Sequence, residues 1–220
     1  MPILARIPGE SAGCESESVA SFDGLLSHLL ADSATGKLIP AFALTEPSAG
    51  SDASNQSTVA AVDGDHFVIN GEKIFIMHGD VCSFAVTFAK IQADGDRDKV
   101  SAIIVPGDAP GLRKECLKQK MGMKYATTGR LWFENVRVPK ANLLGEVGKG
   151  FRYAMQTLDR ARIGIAAQST GIAARALDES IKYAKSRIAF GRCWTTGMRP
   201  NSIFRQRRTE KAIPAGFCQW

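Results

Sequence analysis

The sequence predicts an α+β protein: a small antiparallel β-barrel or sandwich over residues 38–147, followed over 148–191 by a long helix of an incomplete helical bundle. Two observations carry this. Between Leu38 and Val147, short runs rich in β-branched and aromatic residues alternate with Gly, Asp and Pro turns, the pattern of a small all-β unit. From Gly148 the apolar period changes to that of a helix, and alanine becomes frequent.

Residues 1–37 form a mixed N-terminal remnant. Glu10–Ser21 is small and polar, and Phe22–Leu30 predicts a short helix with Leu25, Leu26, Leu29 and Leu30 on one side. The β-region follows as the runs Phe42–Thr45, Thr58–Val62, Phe67–Asn70, Lys73–Met77, Ser83–Ile91, Val100–Val105 and Leu131–Val138. Asp63-Gly64-Asp65 and Asn70-Gly71-Glu72 predict hairpin turns, because such turns need positive φ where Asn, Asp or Gly tolerate it. In the helix, Phe151, Met155, Leu158, Ile165, Ile172, Ala176 and Ile181 lie broadly on one face, and Gly164 and Gly171 are candidate bends. A helix of this length with apolar residues beyond one stripe belongs in a bundle.

The last segment, 192–220, differs in kind. Pro200, Pro214, Gly197 and Gly216 interrupt any period, which predicts a disordered basic tail. Six cations against Glu210 give it +5 of the chain's net +6, so the preceding 191 residues carry only +1. A folded nucleic-acid-binding face needs its cations on the body, so nucleic acid is excluded as a partner. Five scattered cysteines without a C-x-x-C pair indicate neither a disulfide framework nor a metal site, and predict a reducing, cytoplasmic setting. No stretch predicts a membrane span or a signal peptide.

Chemistry concentrates in Ala41-Phe-Ala-Leu-Thr-Glu-Pro-Ser-Ala-Gly-Ser-Asp52. A strand ends at Thr45 and opens into a loop of small residues. There Gly50 and Ser51 leave backbone N–H groups bare for an anion such as a pyrophosphate. A plain Pro/Gly loop explains the same residues.

Together with Asn70-Gly-Glu-Lys-Ile-Phe-Ile76, Met121-Gly-Met-Lys124, Leu131-Trp-Phe-Glu-Asn-Val-Arg-Val-Pro139, Gly148-Lys-Gly-Phe151, Leu158-Asp-Arg-Ala-Arg162 and Arg187-Ile-Ala-Phe-Gly191, this stretch resembles the acyl-CoA dehydrogenase family. The resemblance covers Leu38–Arg192 and follows the family's order. It implies a flavoenzyme with an N-terminal helical domain, a central β-domain and a C-terminal four-helix domain, assembled as a homo-oligomer. FAD would lie between the last two domains. A Glu base would remove the α-proton of an acyl-CoA thioester while the β-hydrogen leaves as hydride to the flavin, and an electron-transfer-flavoprotein-like acceptor would follow.

Residue by residue, the resemblance implies that Phe42, Ala43, Leu44 and Thr45 line the flavin ring, and that Gly50 and Ser51 meet the cofactor's phosphates. Ser51 would also touch the substrate. Phe75, Ile76 and Met77 would flank the flavin, Asp159 and Arg162 would contact acyl-CoA, and Arg187 and Phe190 would reach FAD of a neighbouring subunit. Taken singly, Phe75 and Phe190 also read as core aromatics, Asp159–Arg162 as an i, i+3 ion pair, and Arg187 as a helix-end cation.

Departures from the family pattern bear on activity. Met77 stands where Thr or Ser would donate toward flavin N5, which a thioether cannot do. His78, Lys124, Ala126 and Asn55 also depart, and Ala161 occupies the position where a minority of members keep the base. No catalytic residue is assigned. The break after Gly191-Arg192 is what a shifted reading frame or a truncated gene would produce, and the chain reads as truncated at both ends. The expected function is therefore FAD-dependent α,β-dehydrogenation of an acyl-CoA, impaired in this chain. The alternative is a non-catalytic FAD- or acyl-CoA-binding or assembly module.

Overall fold

The structure, a computed structural model, describes residues 22–92 and 99–193. They fall into two compact units, one ending at Thr157 and the other beginning at Leu158. The expected tail from 194 onward and the polar segment before Phe22 lie outside the described residues.

Helix α1 (Phe22–Ala34) runs one turn beyond the expected Leu30. It ends where Gly36 takes a left-handed φ of 77° and the amides of Lys37 and Leu38 return to Asp32 O, a glycine-terminated helix end. The strands are β1 (Pro40–Ala43), β2 (Val59–Asp63), β3 (His66–Met77), β4 (Phe84–Gln92), β5 (Val100–Pro106), β6 (Leu112–Cys116), β7 (Thr128–Pro139) and β8 (Leu143–Leu144), with a single 3₁₀ turn at Lys140–Asn142. They form one eight-stranded sheet in the order β6-β7-β3-β2-β4-β5-β8, with β1 added against β4.

The expected sandwich holds, with two refinements. The sheet is mixed, because β1 and β2 both run parallel to β4. It is also open: β6 and β8 end the strand order, so there is no closed barrel. Strand β5 is buried along nearly its whole length, as expected of a strand covered on both faces. Its neighbour β4 places Phe84, Ala85, Phe88, Ala89 and Ile91 in the core with Ile69, Leu131, Phe133 and Val136 from β3 and β7.

The expected turn at Asn70-Gly71-Glu72 is not a turn. β3 passes straight through it, and the positive-φ signal marks a β-bulge. Between the pairs Ile69–Val136 and Gly71–Phe133, Asn70 alone faces Glu134 and Asn135. Asn135 takes a φ of 53°, and its amide donates to Asn70 Oδ1 at 2.8 Å. The Asp63–Asp65 turn, by contrast, connects β2 to β3 as expected. Strand β6, which the sequence runs did not include, is a charged edge strand, Leu-Arg-Lys-Glu-Cys.

Helix α2 (Gly150–Ser186) is unbroken through Gly164 and Gly171. Its first turn belongs to the β-unit: a Cβ on Gly150 would stand 2.4 Å from the Ser101 carbonyl carbon, so only glycine lets the helix begin against β5. In the helical unit, Ile188–Ala189 (β9) and Arg192–Cys193 (β10) form a hairpin. Its central residues Phe190 and Gly191 have φ of 53° and 74°, as in a type I′ turn. Two residues of the expected tail are therefore in a strand. Among the described residues no helix is long and apolar enough to cross a membrane.

Candidate flavin and acyl-CoA site

The end of β1 and the second half of β3 lie side by side. The Ile74 amide donates to Thr45 O at 2.9 Å, which brings Phe42–Thr45 next to Phe75–Met77. Within that pair of segments the side chains divide. Ala43 and Ile76 are core residues, leaving only their main chains to a ligand. Phe42 is half-buried, with its ring centroid 4.9 Å from that of Phe88. Phe75 and Met77 are 69% and 55% exposed and form an apolar wall.

A bulge creates that wall. Between Lys73–Leu131 and Ile76–Gly129, Ile74 and Phe75 face Arg130 alone. The inward set of β3 shifts from odd to even positions: Lys73 is inside, then Ile76. Phe75 carries the distortion with a φ of 60°, which a bulky side chain adopts only under constraint.

Beneath the wall sits a charged pair that the sequence reading missed. Lys73 and Glu46 have fully buried side chains. Lys73 Nζ donates to Leu44 O at 3.0 Å and to Glu46 Oε1 and Gln56 Oε1, each at 2.9 Å. Glu46 Oε2 accepts from the Ser57 amide and hydroxyl at 2.6 Å each, and Oε1 from the Thr58 amide at 3.0 Å. Burial pushes the Glu46 carboxyl up, but the bonds from Ser57 and Thr58 and the Lys73 charge outweigh it and hold the group at about 2. Burial pushes Lys73 down, to about 8, with Glu46 opposing the shift. The available signal was proximity in sequence: both residues stand inside the motifs that mark the site, one beside Thr45 and one two residues before Phe75.

The loop from Pro47 to Asn55 leaves Gly50 and Ser51 exposed at its tip, with open space where a Gly50 Cβ would stand. Among the described residues the Thr45 hydroxyl has no hydrogen-bond partner, and neither does the buried Thr127 hydroxyl. An apolar wall, an unpartnered hydroxyl at the strand end and a small-residue loop fit a flat aromatic ring system carrying a polar edge and phosphates.

The other expected residues belong to the helical unit. Asp159 and Arg162 form an exposed i, i+3 ion pair at 3.6 Å, and Ala161 stands between them. Arg187 is exposed just after α2, and Phe190 is 105% exposed at its hairpin turn, which removes its reading as a core aromatic. Cys82 is buried, as expected of a structural cysteine, and donates to Gly79 O at 3.3 Å.

Comparison with known proteins places both units. The acyl-CoA dehydrogenase middle-domain profile matches residues 41–136, and the C-terminal-domain profile of the same family matches residues 148–195. The chain is 48% identical over 158 residues to the caffeyl-CoA reductase-Etf complex subunit CarC of Acetobacterium woodii, covering 72% of this chain and 42% of that protein. It is 47% identical over 156 residues to the mitochondrial short-chain specific acyl-CoA dehydrogenase of Rattus norvegicus, covering 71% of this chain and 38% of that one. The three-dimensional structure of butyryl-CoA dehydrogenase from Megasphaera elsdenii superposes with a TM-score of 0.76 at 37% identity, covering 86% of this chain and 49% of that chain. The chain thus spans less than half the length of these relatives.

Proposed function

Because the chain belongs to the acyl-CoA dehydrogenase family, we propose that it binds FAD and an acyl-CoA thioester and carries the flavin-facing part of an α,β-dehydrogenase site. The observation that carries this is the exposed Phe75–Met77 wall held beside the free Thr45 hydroxyl. FAD, when bound, supplies the hydride acceptor that no protein side chain offers. Phe75 and Met77 would cover its ring and exclude water, with Phe42, Ala43, Leu44 and Ile76 offering main-chain or apolar contact. The Thr45 hydroxyl would meet the polar edge. Gly50 and Ser51 would take the phosphates on backbone amides. Asp159 and Arg162 would orient the acyl-CoA, and Arg187 and Phe190 would reach FAD in a second copy of a homo-oligomer.

The relatives' names support a reading of substrate and partner. Two are named for short-chain acyl-CoA or butyryl-CoA, which supports a short acyl chain here. One is named as a subunit of an Etf complex, which supports an electron-transfer-flavoprotein-like acceptor. The cysteine usage supports a cytoplasmic location.

Turnover by these 220 residues alone is proposed to be impaired. Ala161 carries no carboxylate, and a positioned base contributes on the order of 10² to 10⁴ in rate. The test is the purified chain with FAD, butyryl-CoA and an artificial electron acceptor. Retained yellow flavin without dehydrogenation is the expected result. Failure to retain FAD overturns the binding reading, and robust turnover overturns the impairment. A second reading, assembly without flavin, draws on the exposed Ile163, Ile165 and Ile172 of α2. Oligomers lacking flavin absorbance would favour it.

A further inference from the structure

We propose that Lys73, Glu46 and Gln56 are positioning residues whose buried network fixes the Pro47–Asn55 loop and the Thr45 hydroxyl against the bulge that carries Phe75. The consequence for flavin rests on the function proposed above; the clamp itself rests on geometry alone.

The network is complete at its centre. All three ammonium donors of Lys73 are used, and each carboxylate oxygen of Glu46 accepts two bonds. Its reach is what distinguishes it from a core ion pair. Gln56, which accepts from Lys73, donates through Nε2 to Ala53 O at 2.8 Å, inside the loop. Glu46 closes the loop's first turn, with its amide 3.1 Å from Ala49 O and its carbonyl accepting from the Ala49 amide at 3.2 Å. The same carboxylate holds the loop's far end through Ser57 and Thr58. Leu44, whose carbonyl Lys73 binds, and Glu46 lie on either side of Thr45.

Stability alone is a poor reason for such a pair. Taking both charges out of water offsets much of their attraction, and side chains of equal volume without charge commonly fill such a site as well. An uncharged pair cannot hold two amides, a carboxamide and a carbonyl in fixed places. Three segments distant in sequence meet at Lys73, and each leads to a ligand-facing residue or to the loop. Groups that act on a bound ligand must be held within a fraction of an ångström, which requires supporting residues of this kind.

The experiment compares the 220-residue chain with the Glu46→Gln/Lys73→Met double variant, which keeps the volumes and removes both charges. Amide hydrogen exchange is read across residues 46–58 and across β4–β5, and FAD affinity by flavin fluorescence. The expected result is faster exchange confined to 46–58, unchanged protection of β4–β5, and FAD binding weakened about tenfold or more. Parent-like exchange in 46–58, or parent-like FAD affinity despite a loosened loop, overturns the proposal. Should the parent itself not bind FAD, the function proposed above fails, and loop exchange still decides whether the network is a clamp. Should the double variant not fold, Gln56→Met serves instead, since it cuts the link to Ala53 and leaves the Glu46–Lys73 pair in place. Loop exchange and FAD affinity unchanged in that variant likewise overturn the proposal.

Discussion

Gly71 lies against Thr58 so closely that a Cβ on the glycine would stand 2.5 Å from the Thr58 hydroxyl oxygen and 2.7 Å from its Cα. The glycine also has a φ of 148°, outside the range other residues adopt readily. β2 and β3 approach at this point because nothing stands between them. Gly71→Ala is expected to destabilise the β-unit by roughly 2–4 kcal/mol, from overpacking and backbone strain together. Urea unfolding followed by circular dichroism measures this, and a loss below about 0.5 kcal/mol would contradict the contact.

Glu46 sets an acid limit. Its folded pKa of about 2 lies below the ordinary 4.5, so its contribution is fully present above pH 4.5 and is lost as pH falls toward 2. Unfolding free energy measured across that window is expected to fall more steeply with acid in the parent than in Glu46→Gln. Equal slopes in the two proteins would show that the carboxylate is not held as described.

Phe75 sets stability against binding. Its left-handed backbone costs roughly 1 kcal/mol or more, while its exposed ring returns little by burial. Asn tolerates that conformation, so Phe75→Asn is expected to raise the unfolding free energy by about 1 kcal/mol. It is also expected to weaken FAD binding about tenfold through loss of the apolar wall. A destabilised variant that binds FAD as the parent does would reverse both halves.

Asp159 and Arg162 offer a cleaner separation of roles. As an exposed pair they contribute little, so Asp159→Asn is expected to change stability by less than about 0.5 kcal/mol. If Asp159 orients acyl-CoA, the same variant weakens butyryl-CoA binding, read as ligand-induced change in the flavin spectrum. Unaltered affinity leaves only the ion pair.

Much of this was legible in sequence, and the exceptions have physical causes. The β-runs and the change of period at Gly148 anticipated most strands and the start of α2, because side-chain alternation and helical spacing are local properties. The motif residues Thr45 and Phe75 do come together, as the Ile74–Thr45 bond shows. Asn70-Gly71 was misread because positive φ serves a bulge as well as a turn, and only the partner strand decides which. Strand β6 was missed because Arg113, Lys114 and Glu115 hide its alternation. The Glu46–Lys73 pair was invisible because charged residues read as solvated, and its partners are 27 positions apart. Parallel pairing of β1 with β4 joins segments that no turn connects, so nothing local announces it.

The charges that concealed β6 also have a use. An open sheet leaves hydrogen-bonding groups at its ends ready to recruit another chain, and β8 is only two residues long, so β6 is the longer exposed rim. Arg113, Lys114 and Glu115 put two positive charges and one negative on that rim, and an incoming strand would have to bury or displace them. Charge of this kind on the edge disfavours edge-to-edge pairing of an unclosed sheet.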